Sequence, residues 1–188
     1  MDVPMNAEAP NPADQAERDR RAAAHDWLMQ SASHRHRAGL EWTYSGVAVL
    51  TAGVTWDVVK MPYAAFDPRF DWNTPAKELR QRLEELEVAG PAFCDPYRPY
   101  VYALVPPGTD RKWPQDLTAA GHECLGGTRP FVHHVAIPSL NRSEPPGLFW
   151  LTLPDPLGEH PHVDPGHLCK VLRGRAAPTD AAITSATP

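Results

Sequence analysis

The sequence predicts an α+β domain: a mixed or antiparallel sheet with about three flanking helices. Three observations carry this. Helical periodicity occurs in only three stretches, separated by groups of short apolar, β-branched runs. Proline numbers 22 in 188 residues, more than twice the usual usage of about 5%, which suits turns and strand ends rather than a helical bundle. The composition, 42% hydrophobic and 22% charged, is that of a globular chain. A chain of this length buries roughly two thirds of its unfolded surface without staples.

Residues 1–13 and 176–188 are Pro/Ala-rich or polar and are expected to be disordered tails around a single domain of residues 14–175. The first helix is expected over Asp14–Ser33. Asp14 serves as N-cap, and Ala23, Ala24, Trp27 and Leu28 lie near one face. The basic His34-Arg35-His36-Arg37 reads as its solvated end. Strands are expected at Gly46–Leu50 and Val54–Met61, with Thr51-Ala52-Gly53 as the turn of a hairpin. Thr74 and Pro75 start the clearest helix, with Leu79, Leu83 and Leu86 as its apolar stripe and Gly90 as its C-cap. Further strands are expected at Pro91–Asp95, Tyr100–Val105, Gly121–Leu125, Pro130–Pro138 and Leu148–Leu153. The blocks from Gly46 to Leu153 are expected to join one sheet. A last helix opens at Asp164-Pro165, closes at Gly174 and buries Leu168, Val171 and Leu172.

Charge and cysteine usage narrow the partners. Eighteen basic residues stand against 23 acidic ones, a formal net charge of -5, which disfavours tight nonspecific DNA binding. The first residues lack the basic start and apolar run of a secretory signal. The longest nearly apolar stretch, Gly46 to Trp56, is too short to span a bilayer. Cys94, Cys124 and Cys169 are odd in number and widely spaced, unlike a disulfide framework. A cytoplasmic protein with reduced thiols and no membrane partner is the expectation.

No intact phosphate loop, nucleophile elbow or zinc-protease helix occurs. Gly126-Gly127 with Arg129 either cradles an anion on backbone amides or forms a plain turn. Cys94 ends an apolar run and reads as a buried thiol. His133 and His134 alternate on a strand, so one faces the core side and the other water or a cleft. Asp57 and Asp95 sit in apolar strands, where an unpaired charge costs several kcal/mol, so they belong at a strand end or cleft. Two-metal nucleotidyl transfer needs clustered acids that hold magnesium, and no strand carries a DxD or DxE pair. His160, His162, His167 and Cys169 form the densest zinc-like group, but Pro161 splays the first pair and the second faces opposite sides of a helix. The ligand-cleft candidates are therefore Asp57, Asp95, Arg129 and His133, with no metal ligand and no catalytic residue assigned. Tyr97, Tyr100 and Tyr102 mark the first surface for a partner; the plainer role of Tyr100 and Tyr102 is an aromatic cover on the sheet.

Five blocks carry a family resemblance: Trp56–Pro62, Gly90–Asp95, Tyr100–Thr109, Cys124–Gly127 and Val135–Ser139. Over about residues 25–173 the chain resembles small actinobacterial proteins that look like the N-terminal domain of bifunctional DNA primase/polymerases. The resemblance implies a primase-polymerase-like α+β fold. Active members pair metal-binding acids on one strand and carry a histidine in a Gly-Gly-x-His strand. Here the Cys94-Asp95 region offers one acid, and Gly126-Gly127 is followed by Thr128 and Arg129. The resemblance thus implies a degenerate, catalytically inactive member acting as a binding or regulatory module without cofactor. A protein partner ranks ahead of a nucleotide or nucleic acid. The alternatives are an enzyme of another class using Cys94, Asp95, His133 or His134, and an interaction protein with zinc on the His160–Cys169 group.

Overall fold

The structure is a computed structural model that describes residues 11–128 and 132–176. It is α+β, and every strand pair in it is antiparallel. Helices α1 (Pro12–Met29) and α2 (Arg35–Ser45) lead into strands β1 (Val47–Thr51) and β2 (Asp57–Pro62). Helix α3 (Ala76–Glu85) precedes β3 (Ala92–Asp95) and β4 (Tyr100–Val105). The short α4 (Gln115–Ala119) is followed by β5 (Glu123–Leu125), β6 (His134–Pro138), β7 (Phe149–Thr152) and α5 (Pro165–Ala176).

The strands form two sheets, not the single one expected. The larger runs β5-β2-β4-β3-β7, and the smaller is β1-β6. The expected β1–β2 hairpin does not form, because both edges of β1 are already occupied. One edge pairs with β6. On the other, the Val49 amide donates to Glu41 Oε2 at 3.1 Å, and the Thr51 amide donates to the Ser31 carbonyl at 2.8 Å. Gly53 does turn the chain, at φ 89°, but it delivers β2 to the other sheet.

Alternation along the strands of the larger sheet sorts two cores. On one face Val59, Met61, Val101, Ala103, Cys94 and Phe149 pack with Leu79 and Leu83 of α3 and Leu168 and Leu172 of α5. On the other face Val58, Leu104, Phe93 and Trp150 meet Ala48, Leu50, Val135 and Ile137 of the small sheet, with Leu28 and Trp42 of α1 and α2. Two indoles fasten this second layer. Trp42 Nε1 donates to the Ile137 carbonyl at 3.0 Å, and Trp150 Nε1 donates to the Pro138 carbonyl at 3.1 Å. Each buried hydrogen bond contributes about 1 kcal/mol on top of the large apolar burial of the ring.

Among the described residues five α-helices stand where about three were expected. The first ends at Met29, so the basic His34–Arg37 stretch begins α2 rather than closing α1. Only Ala38 and Trp42 of α2 are buried, too sparse a stripe to announce a helix. Helix α4 is a single turn with one buried residue, Leu117. Cap assignments also shift. Asn11, not Asp14, caps α1, its side chain accepting the Ala13 amide. Thr74 Oγ1 accepts the Asp71 amide instead of capping α3. The chain leaves α3 through Glu87, at φ 54°, ahead of Gly90. Helix α5 runs past Gly174 to Ala176. Of the expected tails, residues 1–10 and 177–188 lie outside the described residues, while Pro12 and Ala13 are helical.

Candidate functional site

Asp57 opens β2 opposite Val105 and has no solvent exposure. Strand β4 must stop after Val105, because Pro106 and Pro107 supply no ladder donors. The chain then folds through Gly108, at φ 83°, into one 3-10 turn over Asp110–Lys112. That turn returns Asp110 over the start of β2, where its amide donates to Asp57 Oδ2 at 3.0 Å. Among the described residues Asp57 Oδ1 is buried without a hydrogen-bond partner. Burial pushes the Asp57 carboxyl above the ordinary carboxylate range, and the nearby Asp110 charge adds to this; the amides of Asp110, Gly108 and Thr109 pull the other way.

Asp110 in turn fixes the chain that continues β5. Its Oδ2 accepts the Thr128 amide at 2.8 Å, while its Oδ1 is buried with no hydrogen-bond partner among the described residues. Burial acts to raise this carboxyl, but the Thr128 and Arg111 contacts outweigh it and hold it below the usual range. Gly126 lies directly beneath the carboxylate: a Cβ there would come within 2.4 Å of Asp110 Cγ. Its neighbour Gly127 crosses Gly53, where a Cβ on Gly53 would come within 2.4 Å of Gly127 Cα. The Gly126 carbonyl accepts the His133 amide at 3.2 Å and lies 2.9 Å from His133 Nδ1. A carbonyl only accepts, so Nδ1 carries the proton. The His133 carbonyl accepts the Ala52 amide at 2.9 Å.

The junction thus joins two of the four expected cleft residues, Asp57 and His133, through Asp110 and Gly126. Asp95 is remote from it. It faces Tyr100 at one end of β4, while Asp57 faces Val105 at the other, about 17 Å away at the rise of a strand. The Asp95 carboxylate accepts the Tyr97 amide at 3.0 Å and shapes a turn. Arg129 lies outside the described residues. The Gly126-Gly127 segment is neither a free anion cradle nor a plain turn: its neighbouring Thr128 amide already holds the protein's own anion, Asp110.

The other candidates disperse. Cys94 is fully buried beside Tyr63, and burial pushes its thiol up to about 12, so it is a core residue and no nucleophile at neutral pH. Of the residues named for an enzyme of another class, Cys94 lies in the core, Asp95 at the far end of β4 from Asp57, and His133 on the Gly126 carbonyl. Strand β6 begins at His134, so the histidine pair is not mid-strand as expected; His134 is exposed. His162 Nε2 lies 2.8 Å from the Thr55 carbonyl and His167 Nε2 2.8 Å from the Leu86 carbonyl, which commits both rings to the backbone. Among the described residues no group of three or more His, Cys, Asp or Glu side chains is placed to hold a metal ion. Among the described residues no helix is long and apolar enough to cross a membrane. Tyr102 stacks on Phe93 with ring centroids 4.8 Å apart, and Lys60 caps the Tyr100 ring at 4.5 Å, so both cover the sheet; Tyr97 is exposed.

A groove that the sequence reading missed lies at the C-terminal end of α3. It encloses about 520 Å³. Val88, Ala89 and Leu153 supply apolar lining, and Glu84, Glu87, Asp155 and Glu159 contribute four carboxylates. Among the described residues none of these four is in an ion pair. Glu84 and Glu87 are legible as charges on either side of Leu86, the last leucine of the stripe. Asp155 and Glu159 come from a loop far along the chain, and nothing in the sequence places that loop against α3.

Comparison with known proteins adds no relative: no family model, no curated protein and no solved structure matches this chain.

Proposed function

We propose that the chain is a non-catalytic binding module whose partner is a protein, held in the acidic groove by a basic segment with interspersed apolar residues. One observation carries this reading. The groove sets four carboxylates, none in an ion pair among the described residues, around apolar lining; Asp155 also accepts the Leu157 amide, and the set suits lysine or arginine heads with aliphatic side chains between them. The same carboxylates repel phosphate backbones, so a nucleic acid is the weaker candidate. The commitment of Asp57 and Asp110 to backbone amides is consistent with a module that performs no metal-assisted transfer. On this reading the primase-polymerase resemblance describes descent, with the paired acids lost.

The test is a direct titration. A fluorescent peptide of alternating leucine and lysine and a labelled single-stranded oligonucleotide are each added to the full chain at low salt. The peptide is expected to bind, with affinity falling as salt rises, and the oligonucleotide is expected not to bind. Binding of the oligonucleotide with no binding of the peptide would overturn the proposal.

A further inference from the structure

Strand β3 connects the groove to a second surface at the other end of the sheet. Gly90, which lines the groove, lies just before β3, and Tyr97 and Arg98 follow β3 in the turn to β4. At the rise of a strand these two ends are about 20 Å apart, so one copy cannot fill its groove with its own turn. The turn is a projecting knob. Tyr97 is 74% exposed, and Arg98 is exposed and in no ion pair among the described residues. Its backbone is nevertheless fixed. The Tyr97 amide donates to Asp95 Oδ1 at 3.0 Å, and the Arg98 amide donates to the Asp95 carbonyl at 3.3 Å. Pro96 and Pro99 flank the pair and lock φ on both sides, and the Pro99 carbonyl accepts the Tyr63 amide at 2.8 Å. A turn set in advance lowers the ordering cost of binding, and tyrosine and arginine are the side chains that most often anchor an interface.

We propose that the partner in the acidic groove is a second copy of this chain, which inserts Tyr97 and Arg98; this rests on the reading of the groove given above. The net charge of -5 sets two copies against each other, so a contact between them must bring unlike charges face to face. Knob and groove do so. The Arg98 guanidinium meets the groove carboxylates with the fork geometry that suits them, and the Tyr97 ring covers the apolar lining of Val88 and Leu153. The contact joins two different surfaces, so each copy keeps a free knob at one end and a free groove at the other, and copies add head to tail. Two anchor side chains make a small interface, and the Kd is expected at roughly 0.1–1 mM.

Sedimentation of the full chain tests this with two double variants. The average mass of the wild type is expected to rise about twofold or more between roughly 10 μM and 1 mM protein. Tyr97→Ala/Arg98→Ala lacks the knob and Glu84→Lys/Glu87→Lys lacks the acidic groove, so each alone should stay monomeric. Mixed in equal amounts they retain one knob and one groove between them, and should form a 1:1 dimer and nothing larger, a rescue that misfolding cannot produce. An excess of the leucine–lysine peptide should return the wild type to monomer. Wild-type protein that binds the peptide yet stays monomeric at the higher concentration overturns the self-docking and leaves the groove reading standing, with another protein as partner. Two variants that unfold like the wild type but do not pair when mixed overturn it equally. Absence of peptide binding overturns the groove reading itself, and this inference with it.

Discussion

Two groups of carboxylates lie on the same scaffold and behave in opposite ways. Asp57 and Asp110 are drawn into the seam where β2, β5 and the end of β4 meet, and their oxygens organise backbone amides. Glu84, Glu87, Asp155 and Glu159 surround a groove at the end of α3, outside any ion pair among the described residues. The first group is part of what holds the chain together; in the second, Asp155 holds its own loop through the Leu157 amide, and the three glutamates accept no hydrogen bond among the described residues. Burial makes the difference: an acid in the seam must be satisfied internally, whereas water satisfies one in the groove at little cost.

The largest expected effect lies in the seam. Gly53→Ala combines a positive φ with a backbone clash against Gly127, and relief requires two chain segments to part. A loss of about 3 kcal/mol or more in urea unfolding is expected, the range of the most damaging single substitutions. A loss under about 0.5 kcal/mol would mean that the two glycines do not cross as described.

The next effect concerns pH. The Asp57 pKa is raised in the folded chain. Below the unfolded value of about 3.9 both states are protonated and this group contributes nothing. As pH rises past that value the unfolded chain ionises first, and stability falls until the folded pKa is reached. Asp57→Asn removes this loss, so its advantage over wild type should appear above about pH 4 and grow toward neutrality. Asp110 has the opposite sign: its contribution is present above the unfolded value and is lost as pH falls through the folded one, so Asp110→Asn should cost most at neutral pH. Urea midpoints taken across the pH range read both trends, and parallel profiles for the two variants would contradict the assignment.

The sheet interior is legible in the sequence, and the seam is not. Tyr100–Val105 and Ala92–Asp95 were marked by unbroken apolar runs with prolines close by, a strictly local signal. The buried face of α5, Leu168 and Leu172, follows from helical spacing. Helix α2 escaped because two sparse anchors, Ala38 and Trp42, hold it. The β1–β2 hairpin was the wrong inference from a correct turn, since pairing depends on which edge is free, and Glu41 and Ser31 close that edge from elsewhere in the chain. Asp57 was recognisable as a charge in an apolar strand, but its partner Asp110 follows a Pro-Pro-Gly stop and carries no local mark. Whether the acid is catalytic, metal-binding or a clasp is decided by that partner.

Smaller effects separate the remaining acids. Asp95→Ala removes one turn hydrogen bond to Tyr97 and should cost about 0.5–1 kcal/mol. Glu87→Lys, at an exposed position of the groove, should alter stability by less than about 0.5 kcal/mol. Thermal unfolding checks both. A cost at Glu87 comparable to that at Gly53 would erase the distinction between the two acid groups.

The decisive measurement is a titration of the basic peptide against wild-type protein and the Glu84→Lys/Glu87→Lys double variant, with unfolding curves recorded on the same samples. Matching stability together with loss of peptide binding in the double variant is the predicted result. Undiminished binding by a folded double variant would contradict the account, because the groove carboxylates would then not be what the partner contacts.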